Sequence, residues 1–508
     1  MNDSSSASTI RIHSPANGEF VGEVPITPAA DVRAVVSLAR EAQKSWGKTT
    51  FDHRKSVMLD VRANLLEHAD AIVDLVAKES GKPRHEGLLH ELMGPLELIT
   101  YFANEAERIL GPEPIPLRLL KQRSSYVHRP PRGVIGVIGP WNFPHNIPFG
   151  GAVMAMMAGN GVVIKPSEFT PLIAQYVRGL YLEAGVPADL LGIVHGYGDV
   201  GAALIDSGVD FVEFTGSVAT GKKVAAMCGE RLIPCVTELG GKAPCLILPD
   251  CDFDRTVNAV LWGGFANAGQ VCASVERLVV HEKIYDRFTE ALIARVNKLR
   301  LGDATKSSDI DMGPMVNERQ RVIVEKLVAD AVAKGARVAT GGKRVEGPGL
   351  FFEPTVLLDV TTDMDIVNKE TFGPVVPVMK RATEEEMLAE ANRSHLGLLA
   401  YVFTKNSEHG RQLAERIEAG TVMVNDVIAT HAAAETPWGG VKQSGIGSTH
   451  SDDGLRHMCQ LRHVNYDTLP WLKRELWWYP YNAGTLPTLK RMLNVLYGRG
   501  IKRFLKAS

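Results

Sequence analysis

A thiol and a carboxylate, each set beside glycine, are the residues of this chain best placed to do chemistry. Gly269-Gln270-Val271-Cys272-Ala273-Ser274 puts one cysteine among small neighbours, and Glu238 opens Glu238-Leu239-Gly240-Gly241-Lys242. A nucleophile that forms a covalent ester and a base that brings in water are the two parts of a two-stage acyl chemistry. Glycine beside each lets backbone and substrate approach closely. The competing reading is a buried, inert cysteine, the ordinary fate of an intracellular thiol.

Two further segments suit a nucleotide. Phe214-Thr215-Gly216-Ser217-Val218-Ala219-Thr220-Gly221 follows a strand-like run and precedes a helical one, so a helix N-terminus could meet a diphosphate there. Its spacing is G-x-x-x-x-G, which departs from the generic dinucleotide fingerprint. Lys165-Pro166-Ser167-Glu168 follows another strand-like run, where a cation and a carboxylate could meet ribose or phosphate oxygens. A solvated charge pair in a loop is the plainer alternative.

These segments need elements to position them. The alternation of short β-type runs (134–138, 161–164, 191–194, 211–214) with helical stretches (146–159, 171–185, 198–208) predicts a parallel sheet covered on both faces. Helices are expected earlier, with Asp31 and Asp52 as caps. A second alternating unit runs from about 245 to 430, with strands at 277–281, 355–360, 375–380, 400–404 and 421–425 and helices near 284–299 and 317–334. Two α/β domains with a cleft between them follow. The charge-free stretch 133–164 has the length of a membrane span, but Pro140-Trp141-Asn142-Phe143-Pro144 cannot continue a helix, so it reads as strand, loop, helix and strand.

The chain has 508 residues, 45% of them apolar, and a net charge of −2. That is long enough for several domains and offers no general case for nucleic acid. Six cysteines without a CxxC pair suggest neither zinc nor a disulfide framework, and no metal is expected. The start shows no secretory signal and reads as a short disordered lead, so a cytoplasmic location is expected. Residues 468–508 differ: eight Lys or Arg stand against the single acid Glu475, interleaved with Trp471, Trp477, Trp478, Tyr479, Tyr481, Tyr497 and Phe504. A basic, aromatic, amphipathic segment suits an anionic membrane surface, or else folds across its own or a neighbouring subunit.

In type and in order, seven motifs of the chain resemble those of the NAD(P)-dependent aldehyde dehydrogenase superfamily. They are Pro140-Trp141-Asn142-Phe143-Pro144, Lys165-Pro166-Ser167-Glu168, Phe214-Thr215-Gly216-Ser217, Glu238-Leu239-Gly240-Gly241-Lys242, Gly269-Gln270-Val271-Cys272, Glu370-Thr371-Phe372-Gly373-Pro374-Val375 and Pro437-Trp438-Gly439-Gly440-Val441-Lys442-Gln443-Ser444-Gly445. The resemblance spans about residues 10–467. It implies an α/β fold in three parts: a modified Rossmann cofactor domain (1–117 and 134–243), a catalytic domain (244–454) and a small β oligomerisation arm (118–133 and 455–467), with 468–508 as an extension. A homodimer or homotetramer is implied.

The resemblance also assigns roles. Cys272 is the nucleophile, Glu238 the base for the hydrolytic water, and Asn142 an oxyanion donor beside the Cys272 N–H. Pro140, Trp141, Lys165, Ser167, Glu168, Gly216, Ser217, Gly221, Leu239, Glu370 and Phe372 hold the cofactor. NAD is expected to be preferred, because Glu168 would repel a 2′-phosphate, while Lys165 could partly accommodate NADP. Phe143, Asn146, Gly150, Phe265, Ala266, Val271 and Ala273 are expected to line the substrate tunnel. Small residues at 150 and 266 and no arginine in this set favour an extended apolar or bulky aldehyde. Succinic semialdehyde is the nearest rival. A CoA-acylating enzyme has little use for Glu238, and a retired scaffold little use for the retained Cys272, Glu238 and Asn142.

Overall fold

The computed structural model describes residues 8–498, so the first seven residues and Arg499, Lys502, Arg503, Phe504 and Lys506 lie outside the described residues. The described chain forms two compact units, one of residues up to 111 with 129–460, the other of 112–128 with 461 onward.

The larger unit holds two large sheets, of six and seven strands, besides two two-stranded pairs. In the first, Val134–Ile138 sits at the centre, with Gly161–Lys165 and Leu191–Ile193 on one side and Phe211–Thr215 and Cys235–Glu238 on the other. All of these pairs are parallel, and Gly445–Ile446 closes one edge antiparallel. Runs such as Val-Ile-Gly-Val-Ile are fully buried because helices cover both faces. Ala29–Trp46, Gly198–Asp206 and Val218–Glu230 pack one face; Phe51–Glu67, Gly94–Leu110, Asn146–Met157 and Pro171–Glu183 pack the other. Strand order reverses beside the central strand, which opens a crevice at the carboxyl ends of the strands.

The second sheet has seven strands in the order Arg337–Thr340, Thr355–Leu358, Val375–Arg381, Arg277–His281, Pro244–Ile247, Leu399–Phe403 and Thr421–Val424. Only the first of these runs antiparallel to its neighbour. That strand, Arg-Val-Ala-Thr, is too short and too polar to stand out by alternation.

Two helix starts differ from expectation. Ala29–Trp46 begins after Pro28, with Asp31 inside the first turn, where its charge faces the positive end of the helix dipole. Phe51–Glu67 is capped by Thr50, whose side chain accepts from the His53 N–H at 3.2 Å, and Asp52 lies in the first turn.

In the smaller unit Arg462–Asp467, Arg123–His128 and Glu113–Pro114 pair antiparallel. Residues 129–133 and 455–460 belong to the larger unit, and helix Ser451–His457 occupies part of the span expected to form the arm. The final described helix, Thr485–Tyr497, exposes Leu486, Leu493, Val495 and Tyr497, and Trp471 and Tyr479 before it are more exposed still. Among the described residues no helix is long and apolar enough to cross a membrane.

Candidate active site

Cys272 follows a short 3-10 turn, Ala266–Gly269, in which Asn267 and Ala268 have φ of 50° and 54°. Left-handed backbone at non-glycine residues costs on the order of 1–3 kcal/mol each and persists only where the surroundings enforce it. Here they do. The buried Glu86 carboxylate accepts from the Asn267 N–H at 2.9 and 3.0 Å. The Gln270 side chain donates to the Asn267 carbonyl at 2.8 Å and accepts from the Val316 N–H at 2.9 Å. On the other side lies Gly241, where a Cβ would come within 2.4 Å of the Cys272 carbonyl oxygen. The two glycine-flanked motifs therefore meet backbone to backbone.

Glu238 ends its strand on the same cavity, and neither of its carboxylate oxygens has a hydrogen-bond partner. Burial, reinforced by the neighbouring Glu213, pushes its carboxyl well above the usual range. Burial likewise drives the Cys272 thiol up to about 12, helped by Glu370 and Glu238. Near neutral pH the sulfur thus carries its proton, and a base must remove it before attack.

The loop after Val134–Ile138 carries Pro140, Trp141 and Asn142 to this cavity. Its anchor is a buried ion pair, Lys82 with Glu91. Lys82 donates to the Asn142 carbonyl at 2.9 Å, while Glu91 accepts from the His145 and Asn146 N–H groups at 3.1 and 3.0 Å. The Asn142 side-chain amide donates to the Gln270 carbonyl at 3.0 Å, which ties this loop to the cysteine loop. Removing one partner of such a buried pair typically costs about 3–5 kcal/mol.

A second buried pair, Lys242 with Glu276 at 2.6 Å, holds the Glu370 loop. Glu276 accepts from the Thr371 and Phe372 N–H groups, and Lys242 donates to the Thr371 hydroxyl at 2.8 Å. Glu370 accepts from the Gly241 N–H at 3.0 Å and is raised to about 8 by burial and by Glu276. Phe372 meets Trp141 edge to face, with centroids 5.2 Å apart. Lys82, Glu91 and Glu276 were not anticipated from sequence. Each is a single charged residue far along the chain from the loop it holds, and no local pattern marks it.

Three connected spaces result. A cavity of about 280 Å³ is lined by Trp141, Asn142, Glu238, Leu239, Cys272, Glu370 and Phe372. It shares Pro140, Trp141, Gly216 and Ser217 with a groove of about 710 Å³ that also holds Lys165, Ser167 and Glu168. Ser217 caps helix Val218–Glu230, so the N–H groups of that helix end face the groove. Lys165 lies 3.6 Å from Glu168, and burial lowers its pKa. Cys272 also borders an apolar cavity of about 130 Å³, lined by Phe143, Asn146, Val271 and Ala273 with Leu89, Met93, Trp262 and Trp438. His90 and His431 also line it, and burial lowers them to about 3 and about 4, so both are neutral.

Four placements differ from expectation. Gly150 lines the cavity that holds Glu238, and a Cβ there would meet Leu98 of helix Gly94–Leu110 at 3.0 Å. Phe265 and Ala266 line a separate cavity beside Pro83 and Met312, since the kinked turn after them swings the chain away before Cys272. Gly221 lines none of these spaces. It lets its helix close on Leu239, whose side chain would lie 2.3 Å from a Cβ there.

Comparison with known proteins adds the ancestry. The sequence pattern described as the aldehyde dehydrogenase family matches residues 1–464. The chain is 37% identical over 465 residues to the rice (Oryza sativa subsp. japonica) protein named mitochondrial succinate-semialdehyde dehydrogenase, covering 91% of this chain and 87% of that one. It is 35% identical to a Bacillus cereus aldehyde dehydrogenase solved as an NAD+ complex, with 90% and 93% of the two chains covered and a TM-score of 0.87. An E. coli enzyme described as NADP dependent is 34% identical, with 90% and 95% covered and a TM-score of 0.87.

Proposed function

Because the chain belongs to the aldehyde dehydrogenase family, we propose that it oxidises an extended apolar aldehyde to the carboxylic acid, with NAD as the preferred cofactor. The observation that carries this reading is the position of Cys272, shared by a cavity that holds Glu238, Asn142 and Glu370 and by a second, almost wholly apolar one.

Cys272 attacks the aldehyde carbon after Glu238 has drawn off the thiol proton. Asn142 and the Cys272 N–H are the donors assigned to the oxyanion, and losing such a donor typically costs about two to three powers of ten in rate. Lys165, Glu168, Gly216, Ser217, Glu370 and Phe372 would hold NAD+, which when bound would supply the hydride acceptor for this oxidation. Glu238 then takes a proton from water as the water adds to the thioester carbon. The carbon–sulfur bond breaks, the thiolate recovers that proton and the acid leaves.

The cofactor preference rests on Glu168, whose carboxylate stands in the groove beside Lys165 and would repel a 2′-phosphate. We expect kcat/KM to favour NAD over NADP by about tenfold or more. Equal values, or a preference for NADP, would overturn this assignment.

The apolar cavity supports this substrate class. Among its described lining residues there is neither Lys nor Arg, and its histidines are neutral, so nothing there pairs with a distal carboxylate. Each added methylene that is buried contributes about 0.8 kcal/mol. The ratio kcat/KM should therefore climb from acetaldehyde through hexanal to decanal, and hexanal should surpass succinic semialdehyde. The likeness to the rice enzyme favours the opposite order, so the two semialdehyde and alkanal rates decide between the readings.

A further inference from the structure

Glu213 occupies a position where the strand pattern calls for an apolar side chain. Strand Phe211–Thr215 is flanked by paired strands on both sides, and its residues alternate between faces. Val212 and Phe214 pack with the helices of one face, and Phe211 packs with the other. Glu213 thus shares the Phe211 face, with Ile135, Val137 and Val236 as apolar neighbours.

Its carboxyl is buried, and one of its oxygens has no partner. The helix above makes room for it: a Cβ at Gly151 would come within 2.5 Å of that carboxyl. Register then brings in the base. Glu213 pairs with Val236 and Thr215 pairs with Glu238, so the two glutamates are diagonal neighbours on one face. Strand spacing and rise put their Cα atoms on the order of 8 Å apart, within reach of two long side chains. Both line the cavity that holds Cys272.

Turnover, on the function proposed above, loads Glu238 twice: first with the thiol proton, then with a proton from water. It must unload in between, while the acyl group fills the space over the sulfur. We propose that Glu213 receives the first proton from Glu238 and so returns it to the carboxylate before water attacks. Glu213 acts only through Glu238. As sulfur bonds to carbon, the thiol proton passes to Glu238, then to Glu213, and reaches solvent at the end of the cycle. The proton from water passes to Glu238 and on to the departing thiolate.

The other ionisable groups facing this cavity are Cys272, Glu370, His431 and His450. Glu370 is engaged by the Gly241 N–H, and burial keeps both histidines neutral. Helix Asn146–Met157 and strand Val134–Ile138, which pack against Glu213, contribute no ionisable side chain. Burial raises Glu213 to about 8, so its proton-accepting form grows as pH rises through that value.

A p-nitrophenyl ester tests this without a redox cofactor, because it acylates the thiol directly. The burst of p-nitrophenolate counts acylated Cys272, and the steady state reports hydrolysis. With Glu213→Gln the burst should stay at one per site. Steady-state release should be about tenfold slower than wild type at pH 9 and within about twofold at pH 6.5, where wild-type Glu213 is protonated and idle. A wild-type to variant ratio that is the same at every pH would mean a structural role and overturn the proposal. So would a variant faster than wild type at high pH, which would mean that Glu213 only repels charge on Glu238. Gly151→Ala, which displaces the Glu213 carboxyl, should reproduce the slowing at pH 9 and serves if the Gln variant does not fold. An unchanged rate there also overturns the proposal. If Cys272→Ala leaves the wild-type burst intact, the function proposed above fails, and the relay fails with it.

Discussion

Cys272→Ala should abolish aldehyde-dependent NADH formation, lowering kcat by roughly four powers of ten or more, while leaving dinucleotide binding in place. Nothing else among the described lining residues of the two cavities that meet at the sulfur is a thiol, a hydroxyl placed on both sides, or a lysine able to replace it. The fold should tolerate the change. Cys272 is only partly buried, and its loop is held by Glu86, Gln270 and Gly241 rather than by its own side chain. Absorbance at 340 nm with a saturating alkanal reads the rate, and fluorescence titration reads NAD binding. A variant keeping more than a tenth of wild-type turnover would remove the cysteine from the mechanism.

Glu238→Gln should behave differently: one NADH per site appears, more slowly than in wild type because the thiol proton has lost its acceptor, and turnover then stalls. Gln keeps the size of the side chain but cannot take a proton, so a thioester accumulates and hydrolysis slows by about two to four powers of ten. The pH profile carries the same logic. Glu238 is held above the usual carboxylate range chiefly by burial and then by Glu213, and only its ionised form is a base. Wild-type steady-state turnover should therefore fall as pH drops through that raised value, and the variant should show no such limb. Undiminished steady-state turnover in Glu238→Gln would show that another group activates the water.

Much of this site was legible along the chain because its reactive residues sit in short, glycine-marked segments at the ends of strands. The segments around Asn142, Lys165, Gly216 and Glu238 each follow a run of buried β-type residues, and all four lie at carboxyl ends in one sheet. Substrate-side residues were harder to place. Phe265 and Ala266 precede a turn whose left-handed residues, Asn267 and Ala268, are ordinary amino acids, so no glycine warned that the chain would swing away. Gly150 lies on a helix that is apolar all round, and such a helix gives no clue to which face meets which cavity. The anchoring pairs were invisible for another reason. Lys82 and Glu91 look like surface charges until the fold buries them together under the Asn142 loop.

The meeting of two separate spaces at one sulfur has a consequence for the order of events. On the function proposed above, aldehyde bulk would reach Cys272 past Trp262 and Met93, and the dinucleotide past Trp141 and Gly216. Neither guest has to vacate the other's doorway. A long acyl chain can stay docked while the spent nucleotide backs out, so elongating the substrate need not slow cofactor exchange, and a molecule built to plug one doorway leaves the other open.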